Sequence, residues 1–377
     1  MSINAGNDIV KHYGNSGTVT ITNIAGDSYH LFGGANQILL SSGKVEVEDG
    51  SFVGSISTTG GAVVVKGVVA TPVTGSATVT GTGTNGLDVN SVIEVGNADT
   101  LINLAMAQST GVFGDVALNI SLTANIDLTN RQIVPFGSND YPFHGSIDGG
   151  NRAINGFSLS GNGTWTTDTQ VTGSTTHITG PVTGFIAKAN GGDVSVSNLT
   201  FTNVNINVEN GSNVGTVIGF AGEGQSNIAV TLTNVHVTSG SIYGKNHVGG
   251  LIGKSYGQGQ LTLTNCSNAA SVSSSSAAGY TGGLIAIASK TDAINTPTKV
   301  SLTNCTNSGS VSTAGTLPVG GLIGRVTQNG DSSTCVIEDC SNTGTLTGNT
   351  TGDYIGVAVI QNGGTTPNYP GKIGTIG

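Results

Sequence analysis

The sequence predicts an all-β fold, a right-handed parallel β-helix, and three observations carry that prediction. A Gly-Gly-aliphatic-Ile-Gly pattern recurs through the second half of the chain. A Val/Leu–Ser/Thr alternation ending in Asn recurs between its copies. Glycine makes up 61 of the 377 residues while only 9% are charged. The apolar residues are regularly spaced, so the composition is that of an ordered β-rich chain rather than a disordered one.

The glycine pattern aligns as Thr183-Gly184-Phe185-Ile186-Ala187, Gly215-Thr216-Val217-Ile218-Gly219, Gly249-Gly250-Leu251-Ile252-Gly253, Gly282-Gly283-Leu284-Ile285-Ala286 and Gly320-Gly321-Leu322-Ile323-Gly324. Starts at 183, 215, 249, 282 and 320 give steps of 32, 34, 33 and 38 residues, and a degraded copy, Gly356-Val357-Ala358-Val359, closes the series. Self-similarity at this period is the mark of stacked repeats. The intervening strands VSVSNL, VTLTNV, LTLTNC, VSLTNC and CVIEDC place Asn198, Asn234, Asn265, Asn304 and Asp339 in one column. Each unit therefore reads as a strand, an Asn-marked bend, a short strand and the glycine-rich strand, three strands to a coil.

A single coil cannot bury its apolar side chains, so successive coils must stack as parallel strands about 4.8 Å apart. Alternation in LTLTN sends Leu261 and Leu263 inward and the threonines outward. The parity breaks at Asn265, a residue type that tolerates left-handed backbone at a corner. Stacked asparagines then form a ladder, and parallel crossovers set the right hand.

These residues resemble the GLUG-motif repeats, named for Gly-Leu-any-Gly and found in large surface-exposed bacterial proteins. GGLIG at 249–253 and 320–324 matches closely, whereas GGLIA at 282–286 departs in its last residue. Upstream, LTANIDLTNRQIVPFG and YPFHGSIDGGNRAINGFSLS look like the first-coil segment that precedes such repeats. The resemblance covers residues 97–361 and implies a β-helix; it implies no shared catalytic site.

Residues 1–96 lack the repeat and read as a β-rich N-terminal region of alternating strands, such as GTVTITNI and GKVEVEDGSFVGSIS, separated by glycine turns. NADTLINLAMAQST is the one convincing helix, with Leu101, Leu104 and Ala105 on one face and Asn97 or Asp99 as cap. Its expected place is the open end of the β-helix, shielding the edge. Residues 362–377 are Gly- and Pro-rich and are expected to be extended.

Twelve Lys and Arg against 21 Asp and Glu give nucleic-acid binding no electrostatic support. No apolar run is long enough to cross a bilayer as a helix, and the opening MSINAGNDIVKHYGNSG has no basic segment followed by an apolar run, so no secretory leader is expected. Cys266, Cys305 and Cys340 share a repeat column, with Cys335 facing inward nearby; without chelating spacing they read as buried thiols, and neither metal nor cofactor is expected.

Adjacent residues of a strand face opposite ways, yet both middle positions of the glycine motif are apolar. Either the column Ile186, Ile218, Ile252, Ile285 and Ile323 faces outward as an interaction stripe, or a local bend or bulge turns both columns inward, or the N-terminal region covers the stripe. The clearest carboxylate cluster is Asp127, Asp140, His144 and Asp148, but Asp148-Gly149-Gly150-Asn151 reads more simply as a tight turn, and no catalytic residue is assigned. Trp165, the sole tryptophan, is a candidate sugar contact in a polar loop. The asparagines of three Asn-X-Ser/Thr sequons, Asn198, Asn265 and Asn304, fall on the corner column. The expectation is a non-enzymatic structural or adhesive β-solenoid outside a cell or on a virus or phage particle, with itself or a surface molecule as partner. The alternative is a glycan-binding or polysaccharide-degrading β-helix.

Overall fold

The computed structural model describes residues 1–24, 28–161, 167–168, 180–222, 227–256, 259–276, 279–289, 299–328, 335–349 and 351–360. The chain forms two compact units, Met1–Ile120 and Ser121–Gly377.

The first unit is itself built from parallel strands. One ladder runs through Ser2–Gly6, Asn15–Ile24, Gly34–Leu40, Phe52–Thr58, Val68–Val69 and Thr84–Asn85; the other runs through Val10–His12, Tyr29–Leu31, Lys44–Val47, Ala62–Val65 and Thr78–Thr80. Val19, Ile38 and Ile56 stack in register, as do Tyr29, Val45 and Val63, and all six are buried in one core. From Val19 to Ile38 is 19 residues and from Ile38 to Ile56 is 18, so this solenoid has coils about half as long as the glycine repeat. The sequence reading missed this parallel pairing because these coils carry no column as constant as the Asn corner.

The helix forms as read, over Ala98–Ser109, with the Asn97 side chain accepting the Thr100 amide and Leu101, Leu104 and Ala105 buried. It packs on two strands of the first ladder, Gly34–Leu40 and Phe52–Thr58. Asn103 Nδ2 fastens it by donating to the carbonyls of Phe32 (3.4 Å) and Gly50 (3.1 Å).

The second unit is the stack that the glycine repeat predicts, a β-helix of parallel sheets. One coil consists of His247–Gly249, Ile252–Tyr256, Gln260–Thr264, Ser267–Asn268 and Ser271–Ser274. That makes five short strands where the sequence suggested three, because the glycine bend and the Asn corner each interrupt a strand. Leu232, Leu263, Leu302 and Ile337 superpose from coil to coil and are buried.

The isoleucine column corrects one expectation. Ile186, Ile218, Ile252, Ile285 and Ile323 are in parallel register, and each is 0% exposed. They are core, not an interaction stripe. The cause is a bend at the glycines: the amides of Leu251 and Ile252 both donate to the Leu284 carbonyl, and those of Leu284 and Ile285 both donate to Leu322. Two successive amides on one acceptor break the strand alternation, so neighbouring Leu and Ile are both enclosed.

Each glycine of the motif meets a different obstacle. A Cβ on Gly282 would lie 2.0 Å from the Ile285 carbonyl oxygen. On Gly283 it would lie 2.0 Å from the Gly321 carbonyl oxygen and 2.5 Å from Asn307 Cγ; on Gly324 it would lie 2.6 Å from the Ala286 carbonyl oxygen. Backbone approaches backbone too closely for any side chain.

Candidate functional site

The polar side chains of the second unit are organised chiefly as ladders. Asn198, Asn234, Asn265, Asn304 and Asp339 all adopt left-handed backbone, with φ between 51° and 56°. Asn265 Nδ2 donates to Asn234 Oδ1 (2.8 Å), Asn234 Nδ2 to Asn198 Oδ1 (2.9 Å), and Asn198 Nδ2 to Asp148 Oδ1 (3.0 Å). Two of the sequon asparagines, Asn198 and Asn265, are thus side-chain rungs of the corner, and Asn304 shares its left-handed backbone.

A second, inner ladder was not recognised in the sequence. Asn268 Nδ2 donates to Asn307 Oδ1 (3.0 Å) and Asn307 Nδ2 to Asn342 Oδ1 (2.9 Å), and each side chain also bonds a carbonyl two residues ahead. Asn268 and Asn307 are 1% exposed. The second glycine of the motif faces these amides: a Cβ on Gly250, Gly283 or Gly321 would come within 2.5 to 2.7 Å of the Cγ of Asn268, Asn307 or Asn342. The signal was the invariant Asn two residues beyond each Cys in CSN, CTN and CSN.

The suspected carboxylate cluster separates into the starts of two ladders. Asp148 accepts from the Gly150 amide (3.0 Å), Asn198 and Ser197, and these bonds, the Gly150 amide foremost, hold its carboxyl below the usual range. Asp127 accepts from the Thr129 hydroxyl (2.7 Å), the Thr129 amide and Asn155 Nδ2 (3.0 Å), with the same consequence, the Thr129 hydroxyl contributing most. A depressed carboxyl is the reverse of what a general acid requires. Asp140 is exposed and His144 half-buried. Trp165 lies outside the described residues.

All four cysteines are free and buried. Bonding to the Cys266 thiol, with burial, pushes Cys305 up to about 12, and burial alone pushes Cys335 to about 12. Bonding to the Cys305 thiol and burial also raise Cys340, whereas Cys266 is drawn down by the same thiol chain. These groups act as small core residues.

One register column after the glycine bend holds Lys188, Phe220, Lys254, Ile287 and Arg325, three of them basic. Lys254 is 0% exposed, its ammonium lying 5.2 Å from the Phe220 ring centroid and 5.0 Å from that of Tyr256. Arg325 covers the Tyr280 ring at 5.0 Å and donates to its hydroxyl at 3.0 Å. Ring faces are attractive surroundings for such cations.

In the first unit, parallel pairing brings together His30, Glu46 and Glu48, whose ligand atoms lie within 4.8 Å of one another. Lys66 Nζ already bonds Glu46 (2.7 Å) and Glu48 (3.0 Å), Lys44 also pairs with Glu46, and His30 Nδ1 meets Glu48 at 2.6 Å. The Lys66 ammonium thus bonds both carboxylates of the cluster, which forms an ion-pair network. Its residues come from neighbouring coils, and only the pairing of His30 with Glu46 makes them adjacent.

Among families of known proteins, a model described as the GLUG motif matches residues 317–347. The chain carries the GLUG motif. The matched segment contains both the glycine bend at 320–324 and Asn342, which Gly321 faces, so it includes the two parts that must fit together. Among solved structures, a putative immunoglobulin A1 protease from Bacteroides ovatus is similar with a TM-score of 0.52 at 20% identity, over 76% of this chain and 81% of that one. This likeness extends to the fold alone. No curated protein matches the sequence.

Proposed function

We propose that this GLUG-motif β-solenoid is a non-enzymatic structural or adhesive module displayed on the surface of a cell or particle. The observation that carries the reading is the use of its polar residues. Asp127, Asp148, Asn198, Asn234 and Asn265 and the inner asparagines Asn268, Asn307 and Asn342 bond from one coil to the next, and Ser195, Thr231, Thr262 and Ser301 form an outward column of small uncharged groups. A repeated scaffold of this kind presents surface rather than a reaction centre. The buried isoleucine column plays no part in self-association.

The description of the Bacteroides ovatus protein supplies a competing, hydrolytic reading. To decide, beads coated with the purified chain are applied to mucin- and matrix-coated surfaces, while the soluble chain is incubated with immunoglobulin A1 and a polysaccharide panel followed by mass spectrometry. Adhesion above that of bare beads with intact substrates is the expected outcome. Reproducible cleavage of either substrate class would overturn the non-enzymatic reading.

A further inference from the structure

We propose that the first unit carries a saccharide-binding cleft in which Tyr13 is the stacking platform for a neutral sugar and Asp49 and Asp99 accept from its hydroxyls. The proposal gives the adhesive reading a ligand class and rests on that reading for its biological role.

The cleft has a volume of about 560 Å³, and Tyr13, Phe32, Asp49, Asn97, Asp99 and Asn103 line it. That lies within the range of small-molecule sites. Tyr13 is 69% exposed, yet its ring is held: it stacks on Phe32 at 5.0 Å with 13° between the planes. Phe32 in turn stacks on His30 at 6.3 Å and 15°, and His30 is tied to Glu48 at 2.6 Å. Three near-parallel rings therefore end in one tyrosine whose outer face remains open. An ordered ring has already lost the side-chain freedom that binding would otherwise remove.

The geometry selects the ligand. Rings stacked on one another offer a flat platform rather than the enclosing walls that a quaternary ammonium group requires, which suits the C–H face of a pyranose. Asp49 and Asp99 are exposed carboxylates at the same cleft, good acceptors for hydroxyls and repulsive to sialate or uronate groups. The helix start does not offset that charge at the Thr100 amide, which Asn97 Oδ1 already occupies at 2.9 Å. Asn103 Nδ2 is committed to two carbonyls and fixes the helix that forms one wall.

The test applies the full chain to an array of neutral, sialylated and uronate-bearing oligosaccharides, with choline as a competitor. Retention of neutral glycans is expected, with affinity falling roughly three- to tenfold in Tyr13→Ala, the range that one aromatic contact supplies. Tyr13→Trp should preserve binding, and both variants should keep the parent thermal midpoint. No neutral glycan retained, binding indifferent to Tyr13→Ala, preference for anionic glycans, or displacement by choline would each overturn the cleft. Bead adhesion that persists in Tyr13→Ala sinks the cleft and leaves the adhesive reading standing; glycan binding without bead adhesion does the reverse.

Discussion

Gly283 and Gly17 show how far the meaning of a glycine depends on its neighbours. A methyl group on Gly283 would meet the Gly321 carbonyl and the Asn307 amide, whereas one on Gly17 would have nothing within 4 Å. Gly283→Ala should therefore cost about 2–4 kcal/mol, read as a lowered urea midpoint, while Gly17→Ala stays within about 0.5 kcal/mol. The two asparagine columns separate in the same way. Asn307→Ala removes three side-chain bonds and strands buried partners, at a cost of about 3 kcal/mol. Asn304, with φ at 54°, is valued for its backbone. Asn304→Ala should cost roughly 1–2 kcal/mol and Asn304→Gly much less. Equal losses at Asn307 and Asn304, including the glycine variant, would show that the two ladders are not distinct in kind.

At the scale of the element, the strands of the first unit are joined across coils by charge as well as by core. Lys44 and Lys66 hold the Glu46 carboxyl down to about 2 from its ordinary 4.5. A folded-state value below the unfolded one stabilises the fold at pH above about 4.5, and that contribution is lost as pH falls toward 2. Chemical denaturation of the wild type should show declining stability across this window, and Glu46→Gln should flatten the decline; a slope unchanged by the substitution would remove Glu46 as its source. None of this network was legible in the sequence, because Glu46 is 16 residues from His30 and 20 from Lys66 and no marked column announces the pairing. By contrast, the Asn corner and the inward Leu261 and Leu263 followed directly from a constant repeat. The isoleucine column fell between these cases: its register was readable, but its burial depends on a bend in which two amides share one carbonyl, and composition does not reveal that. The inner asparagines stood in a visible column, yet nothing local distinguishes a buried rung from a turn residue.

For the second unit taken whole, each coil touches only its neighbours, so stability follows position in the stack. In the six-stranded sheet, Ile206, Ile242, Val272 and Val311 are fully buried, but Leu346, next in register, is only half-buried. Residues 341–349 are exposed or half-buried throughout, where the equivalent stretch from Thr306 alternates with buried positions. Fewer buried contacts mean a lower local opening free energy. Hydrogen exchange should therefore be slowest at Val230–Val237 and Gln260–Thr264 and fastest at Leu346–Thr347. Leu346→Ala should leave the protection of the central coils unchanged, whereas Asn307→Ala, which breaks the inner ladder in mid-stack, should raise exchange on both sides of it. Uniform protection from Val230 to Thr347 would mean that the unit opens as one block, and that the coils are coupled more strongly than nearest-neighbour stacking requires.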